Sequence, residues 1–358
     1  MSTPSFRPNT CLVTGGAGFI GCALSSSLAD RFEQVVVVDN LHPQIHAERK
    51  RPDALDDRCK LVVADVCEPG TWDALLPEFA PEVVIHLAAE TGTGQSLTEA
   101  SRHALVNVVG TSQLLDGLHR HDAIPTKLLL SSSRAVYGEG AWQREDGSVH
   151  YPGQRSAEQL AQGRWDFAGS RPLPFQAAQT QPAPTSIYGS TKLAQEHLIT
   201  TWAMAHGVST RILRLQNVYG PGQSLSNPYT GIVSLFVRLA KQHKAIPLYE
   251  DGDMTRDFVL IDDVASALLA ALDAGQGGFI LDVGTGVASS IAQMAHVIAQ
   301  RYGAPAPFVS GQFRNGDVRH AACTIEDTLA TLAWEPQFDL ATGLGLLCDW
   351  IDLQLDKK

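Results

Sequence analysis

The sequence predicts an α/β fold: a doubly wound parallel sheet with a smaller, mostly helical C-terminal substrate lobe. Three observations carry that expectation. Short, β-rich apolar runs alternate with helical stretches through the first half of the chain. A glycine-rich turn, Gly15-Gly16-Ala17-Gly18-Phe19-Ile20-Gly21, follows the first run. After Gly220 the alternation weakens into helical patterns separated by short runs.

The apolar runs are Cys11–Thr14, Gln34–Asp39, Leu61–Asp65, Val83–Leu87 and Leu128–Ser132, with a further strand at Thr210–Leu215. Near-continuous apolar character is what strands buried on both faces of a parallel sheet require. Phe19–Ala29, Glu99–Leu118 and Tyr188–Ala205 read as helices, and right-handed crossovers place such helices on both faces. Gly138–Pro184 is long, rich in Gln, Gly, Pro and Arg, and nearly without period. It exceeds a plain connection, so an insert at about 139–184 is expected: a functional loop, a lid or a small insertion. The expected division is a sheet domain over 1–215, insert included, and mainly a lobe over 216–358. Lobe helices are expected at Ile232–Gln242, Ile261–Ala274, Ser289–Tyr302, Ile325–Leu332 and Leu340–Leu353, with Gly278–Val283 as a short strand.

Composition narrows the function classes. The 358 residues are 44% hydrophobic and 18% charged, an ordinary globular balance. Lys and Arg number 27 against 38 Asp and Glu, a net charge of −11, which argues against a nucleic-acid binder. No run approaches 18 apolar residues, so no membrane span is expected. The polar Met1–Thr10 segment does not read as a signal peptide, and a cytoplasmic location follows. Cys11, Cys22, Cys59, Cys67, Cys323 and Cys348 form no CxxC or metal-like cluster, as expected of buried free thiols in a reducing compartment. His86 reads as a satisfied core residue, and His103, His119 and His121 as helix-surface residues. No metal is expected.

The glycine turn has the spacing GxxGxxG at Gly15, Gly18 and Gly21, between a strand and a helix. The first glycine permits a tight bend, the second lets the backbone approach a pyrophosphate, and the third lets helix pack on sheet. The helix N-terminus then offers N–H groups and a positive dipole end to phosphate. Asp39 ends the next strand, 18 residues beyond Gly21. A carboxylate there accepts from a ribose diol and repels a 2′-phosphate, so NAD is favoured over NADP. Asp65, followed by Val66, is placed to hydrogen-bond an adenine amino group.

Tyr188-Gly189-Ser190-Thr191-Lys192 is a YxxxK pattern. Residues four apart share a helix face, so the ammonium is expected to favour the tyrosinate and make Tyr188 a general base. Ser133 closes a strand at the ligand crevice, where its hydroxyl can share the same proton.

TGGAGFIG, VVDN at Val37–Asn40, HLAA at His86–Ala89, SSSRAVYG at Ser131–Gly138, YGSTK, and RLQNVYGPG at Arg214–Gly222 occur in one order. With them the chain, from about Cys11 to its C-terminus, resembles the extended short-chain dehydrogenase/reductases that act on nucleotide sugars. The resemblance implies a Rossmann-type domain, retained NAD, a nucleotide-sugar substrate and a homodimer through the helices around Glu99–Leu118 and Tyr188–Ala205. It implies Ser133, Tyr188 and Lys192 as the catalytic trio, with Lys192 also on the nicotinamide ribose. Further implied cofactor contacts are Phe19, Ile20, Asn40, Leu87, Ala88 and Ala89, with Asn107 supporting the lysine through a helix. Asn217 is implied on the diphosphate or sugar, and Arg256 and Arg319 near the nucleotide phosphates, where a guanidinium fork suits a pyrophosphate.

Three reactions share such machinery: 4-epimerisation, 4,6-dehydration and reduction. Dehydratases of this kind resemble one another in an Asp–Glu pair directly after the Ser/Thr position. Here Arg134 and Ala135 follow Ser133, and neither serves as a carboxylate acid or base. Asp39 disfavours an NADPH-dependent reductase. A 4-epimerase is therefore expected. The Ala88–Ser96 segment, SSRAVYGEG and the long insert are similar to those of epimerases acting on dTDP-L-rhamnose, so a dTDP-sugar is the expected substrate. Thr91, Thr93 and Gln95, in the loop after the fourth strand, and Arg134 are then candidate sugar contacts. A UDP-hexose 4-epimerase, a nucleotide-sugar 4,6-dehydratase and a dinucleotide-binding sensor without turnover are the alternatives.

Overall fold

The computed structural model describes residues 9–46, 48–225, 231–275 and 277–355. Most of the N-terminal segment read as polar, residues 1–8, lies outside them. Strands β1 (Thr10–Thr14), β2 (Gln34–Asp39), β3 (Lys60–Val63), β4 (Val83–His86), β5 (Lys127–Ser133), β6 (Ser209–Leu215) and β7 (Phe279–Val283) form one sheet. Its order is β7-β6-β5-β4-β1-β2-β3, and every pairing is parallel. Adjacent residues of a strand face opposite sides. Val13 therefore enters one core with Leu24, Leu28 and Leu268, while Leu12 enters the other with Trp72, Leu114 and Ile199. The expected ends at Asp65 and Leu87 fall short, at Val63 and His86, because the chain turns into the crevice there.

Helices α1 (Phe19–Arg31), α2 (Pro69–Leu75), α3 (Ala100–Ala104), α4 (Thr111–Arg120) and α5 (Ile187–His206) belong to the sheet domain. The stretch expected as one helix over Glu99–Leu118 is broken by a π-helical turn at Leu105–Gly110, between α3 and α4. His103, expected on a surface, is fully buried, with Nδ1 against the Glu99 carbonyl at 2.9 Å.

The expected boundary at residue 215 is crossed. Strand β7 pairs with β6 from Phe279 opposite Arg211 to Val283 opposite Leu215. Helix α6 (Ile232–Lys241) stays in the lobe, whereas α7 (Ile261–Asp273) packs on α1, adding Val264, Leu268 and Ala271 to the sheet core. The run ending at Val283 is apolar in either setting, and only its partner strand distinguishes them. Helices α8 (Ile291–Arg301), α9 (Glu326–Leu332) and α10 (Leu340–Leu355) follow. Phe236, Leu248, Met294, Ile298, Leu347 and Ile351 centre a separate lobe core. Among the described residues no helix is long and apolar enough to cross a membrane.

The irregular insert is a folded unit. Trp142–Arg144 pairs antiparallel with Val149–His150 and with Ser170–Pro172, and Ala157–Ala161 is helical. Its anchor is Arg155, whose side chain is 1% exposed. Arg155 Nε donates to Glu139 Oε1 at 3.1 Å, Nη1 to Glu250 Oε2 at 2.9 Å, and Nη2 to the Asp317 carbonyl at 2.8 Å. One guanidinium thus ties the insert to the lobe. Replacing it by an apolar side chain of similar length takes the guanidinium from two buried carboxylates, leaving Glu139 with only the Arg319 N–H and Glu250 with only Arg319. Arg155→Met is expected to lower stability by about 3–5 kcal/mol, read as a fall in urea midpoint with unchanged slope.

Candidate active site

The sheet order reverses beside β1, between β2 and β4, and a cleft of about 720 Å³ opens at the strand ends there. Gly15 makes the turn from β1. Its φ is +67°, its N–H donates to the Val38 carbonyl at 2.7 Å, and a Cβ on it would lie 2.6 Å from the Ala88 nitrogen. Gly18 caps α1 without a side-chain partner, leaving the helix's first N–H groups for an anion. Phe19, Ile20, Leu87, Ala88 and Ala89 line the cleft around this turn.

Asp39 is held rigidly at the cleft wall. Its Oδ2 accepts the Ala17 N–H at 3.1 Å and its Oδ1 the Leu41 N–H at 2.9 Å. Asn40 and Val66 line the same wall. Asp65 does not line it: its carboxylate accepts Asn40 Nδ2 at 3.1 Å and the Cys67 N–H at 2.8 Å. It orders the wall, since the turn after β3 draws its own carboxylate back onto the backbone.

Ser133 ends β5 and caps a 3₁₀ turn over Arg134–Tyr137, accepting the Ala135 N–H at 3.2 Å. Ser186 caps α5 by accepting the Gly189 N–H at 3.0 Å. Gly189 lies directly on the first turn, where a Cβ would collide with the Ala135 carbonyl oxygen. That close approach brings Tyr188 to the Ser133 hydroxyl. Burial pushes the Tyr188 phenol above its ordinary range, while the Ser133 hydrogen bond and the Arg134 charge pull it down. Arg134 is thus one charge that pulls the Tyr188 phenol down, which the helix-face argument built on Lys192 did not foresee. Lys192 is buried and turned aside, with Nζ donating to Gln195 Oε1 at 2.6 Å. Burial lowers it to about 7, against an upward pull from Glu196.

Asn107 sits in the π-helical turn, outside the cleft wall. Its Nδ2 donates to Thr191 Oγ1 at 2.9 Å and to the Glu90 carbonyl at 3.0 Å, and its Oδ1 accepts the Glu90 N–H at 2.7 Å. It fastens the loop after β4 to the residue preceding Lys192.

The candidate substrate residues separate. Thr91, Arg134 and Asn217 line the cleft, and Arg134 Nε donates to Asn217 Oδ1 at 2.6 Å. Thr93 and Gln95 do not line it. Past Gly92, at φ +107°, the chain coils over Thr93–Ser96 and turns Gln95 inward. There the Gln95 amide exchanges hydrogen bonds with Gln44 at 3.0 and 3.1 Å. Arg256 is buried, donates from Nη1 to the Thr255 carbonyl at 2.7 Å, and forms no ion pair among the described residues. Burial, then Arg256, lowers Arg134 to about 9. Two desolvated guanidiniums within electrostatic reach of each other favour an anion between them. Arg319 is spoken for: it contacts Asp251 at 2.6 and 2.8 Å, Asp166 at 3.0 Å and Glu250 at 3.2 Å. Those carboxylates lie 68, 153 and 69 residues away along the chain, beyond any local pattern.

Sequence reasoning missed Gln44, Gln216 and Gln223 on the wall. Gln223 follows the Pro221-Gly222 turn, and a Cβ at Gly222 would lie 3.6 Å from the Phe19 ring, so the motif's tail closes on α1. Among the described residues no group of three or more His, Cys, Asp or Glu is placed for a metal. Gly189→Ala tests the helix approach. It is expected to cost about 1–3 kcal/mol by overpacking, measured by urea unfolding.

The NAD dependent epimerase/dehydratase family matches residues 11–158 and 166–284. The chain is 61% identical over 348 residues to a dTDP-L-rhamnose 4-epimerase of Burkholderia thailandensis, covering 97% of this chain and 96% of that one. It is 30% identical over 335 residues to a UDP-glucose 4-epimerase of Mycolicibacterium smegmatis, covering 93% and 96%. The solved UDP-glucose 4-epimerase of Thermotoga maritima with UDP-glucose superposes with a TM-score of 0.80 at 27% identity, covering 97% and 99%. That of Thermus thermophilus with NAD superposes at 0.75 and 26%, covering 96% and 99%. The family match takes in the glycine turn, the Tyr188–Lys192 helix and strand β7 alike, and the chain belongs to the NAD dependent epimerase/dehydratase family.

Proposed function

We propose that the protein is a nucleotide-sugar 4-epimerase that uses NAD, interconverting dTDP-L-rhamnose and dTDP-6-deoxy-L-talose through transient oxidation at C4. The carrying observation is one cleft lined by the Gly15 turn, Asp39, Ser133 and Tyr188, with Arg134 and Ala135 at the place where dehydratases carry acid groups. The 61% relative supports the sugar.

The residues present suit NAD: Gly18 opens α1 with no side chain over its first N–H groups at the cleft, and Asp39 presents a fixed carboxylate suited to a ribose diol. When bound, the dinucleotide supplies a reversible hydride acceptor and donor. Tyr188 takes the proton from the C4 hydroxyl and returns it to the same oxygen once C4 has inverted, with Ser133 sharing that hydrogen bond. Arg134 favours the tyrosinate while that proton is away. Lys192 holds the nicotinamide ribose. Arg256 and Asn217 hold the diphosphate, with Arg134 at its sugar end. Arg319 acts indirectly, as the joint between the lobe and the insert.

Proton NMR in D2O with dTDP-L-rhamnose and no added NAD is the test. A new anomeric signal without ring deuterium is expected. Conversion of UDP-glucose or UDP-galactose in its place would keep the mechanism and replace the substrate; the 30% relative favours that reading. Tyr188→Phe is expected to cut turnover by about 10²–10⁴-fold with folding and bound NAD retained.

A homodimer through α3–α4 and α5 completes the proposal. Leu105 is 50% exposed, Val109 41% and Met204 80%, an apolar group on those helices. Leu105→Glu with Val109→Glu is expected to give a monomer by sedimentation velocity.

A further inference from the structure

Beneath the catalytic face lies a buried polar layer that the proposed proton transfer does not use. Gln195, His86, Thr111 and Thr14 are each 0% exposed, and Lys192 is 2%. A glutamine in such a place needs a partner for every polar atom, or an apolar side chain would be more stable there.

We propose that Gln195 is a positioning residue. Its amide oxygen fixes the Lys192 ammonium at the cofactor end of α5, and its amide nitrogen locks His86 as the Nδ1–H tautomer. The proposal rests on the epimerase reading only for the part Lys192 plays in turnover.

The assignment follows from donors and acceptors. An ammonium only donates, so the Gln195 atom 2.6 Å from Lys192 Nζ is the amide oxygen. The amide nitrogen then faces Thr111 Oγ1 at 2.8 Å and His86 Nε2 at 3.1 Å. The Thr111 hydroxyl donates to the Asn107 carbonyl at 2.7 Å, leaving its oxygen to accept. His86 Nε2 lies 2.9 Å from Thr111 Oγ1 as well, and it takes the second amide hydrogen of Gln195 only as an acceptor, so the proposed tautomer carries its proton on Nδ1, directed at Thr14 Oγ1 at 2.6 Å. Thr14 Oγ1 accepts the Ala88 N–H at 3.3 Å, beside the Gly15 turn. One chain of hydrogen bonds therefore runs from the ammonium to the cofactor wall. A doubly protonated His86 would set two donors against each other. Burial, then the charge of Lys192, holds His86 down at about 3, in keeping with the neutral ring. The charged neighbour of Lys192 is Glu196, which Arg214 holds at 2.7 and 3.0 Å. His86 faces it from β4, and Tyr188 shares its helix.

Lysine-selective ¹³C and histidine ¹⁵N labelling of the holoenzyme reads this directly, with the Lys192 signal identified by its loss in Lys192→Met. In Gln195→Glu a carboxylate replaces the amide, and the Lys192 titration midpoint is expected to rise by about one pH unit, a tenfold gain in proton affinity. In Gln195→Met the acceptor is gone, so the midpoint falls and the single Nδ1–H signature of His86 is lost. The high-pH limb of turnover moves with the midpoint in each variant. A midpoint and a tautomer unchanged in the variants would overturn the assignment, as would a shift in the same direction in both. Should Gln195→Met fail to fold, the near-isosteric Gln195→Glu carries the test alone. The titration needs no substrate, so absent turnover of dTDP- and UDP-sugars would remove the epimerase reading without touching this one.

Discussion

Everything at the active cleft depends on β1 being hydrogen-bonded on both sides, to β2 and to β4. The chain winds outward from β1 in opposite directions, so the helices that follow leave on opposite faces. A gap at the strand ends is the unavoidable result. The Gly15 turn rises into that gap, and a side chain there would strike the β4 exit at Ala88. Asp39 enters from one side and Ser133 from the other. The buried chain through Thr14, His86 and Gln195 crosses the same junction from below.

The arginines divide by what neutralises them. Arg155 and Arg319 are saturated by Glu139, Asp166, Glu250 and Asp251, and their work is to hold the insert and the lobe together. Arg256 is buried and Arg134 half-buried at the cleft, and among the described residues neither forms a direct ion pair, although Asp317 and Glu139 act on both from a distance. Arg134 serves twice in the proposed reaction, since the guanidinium that faces the sugar end also acts on Tyr188.

Much of this was legible in the residues. Strand–helix alternation depends on local apolar pattern, and a glycine turn between strand and helix has a local steric meaning. Asp39, Ser133, Tyr188 and Asn217 line the cleft as expected because each sits at an element end or in a short motif, where chain direction dictates position. Gln95 and Arg319 were misjudged for the complementary reason. A loop residue's direction is set by the next few dihedrals, and Gly92 turns Gln95 inward. An arginine's availability depends on which carboxylates fold against it, and those of Arg319 come from far along the chain.

The sequence by itself determined the parallel sheet and the glycine turn between strand and helix, because these rest on short-range sterics and periodicity. Only the tertiary structure decided that Phe279–Val283 completes the sheet, since an edge strand is defined by its neighbour. It also brought the Arg134 charge to bear on Tyr188 and set the Lys192 ammonium against the Gln195 amide. Electrostatic partnership falls steeply with distance and grows with burial, and neither quantity exists until the chain has folded.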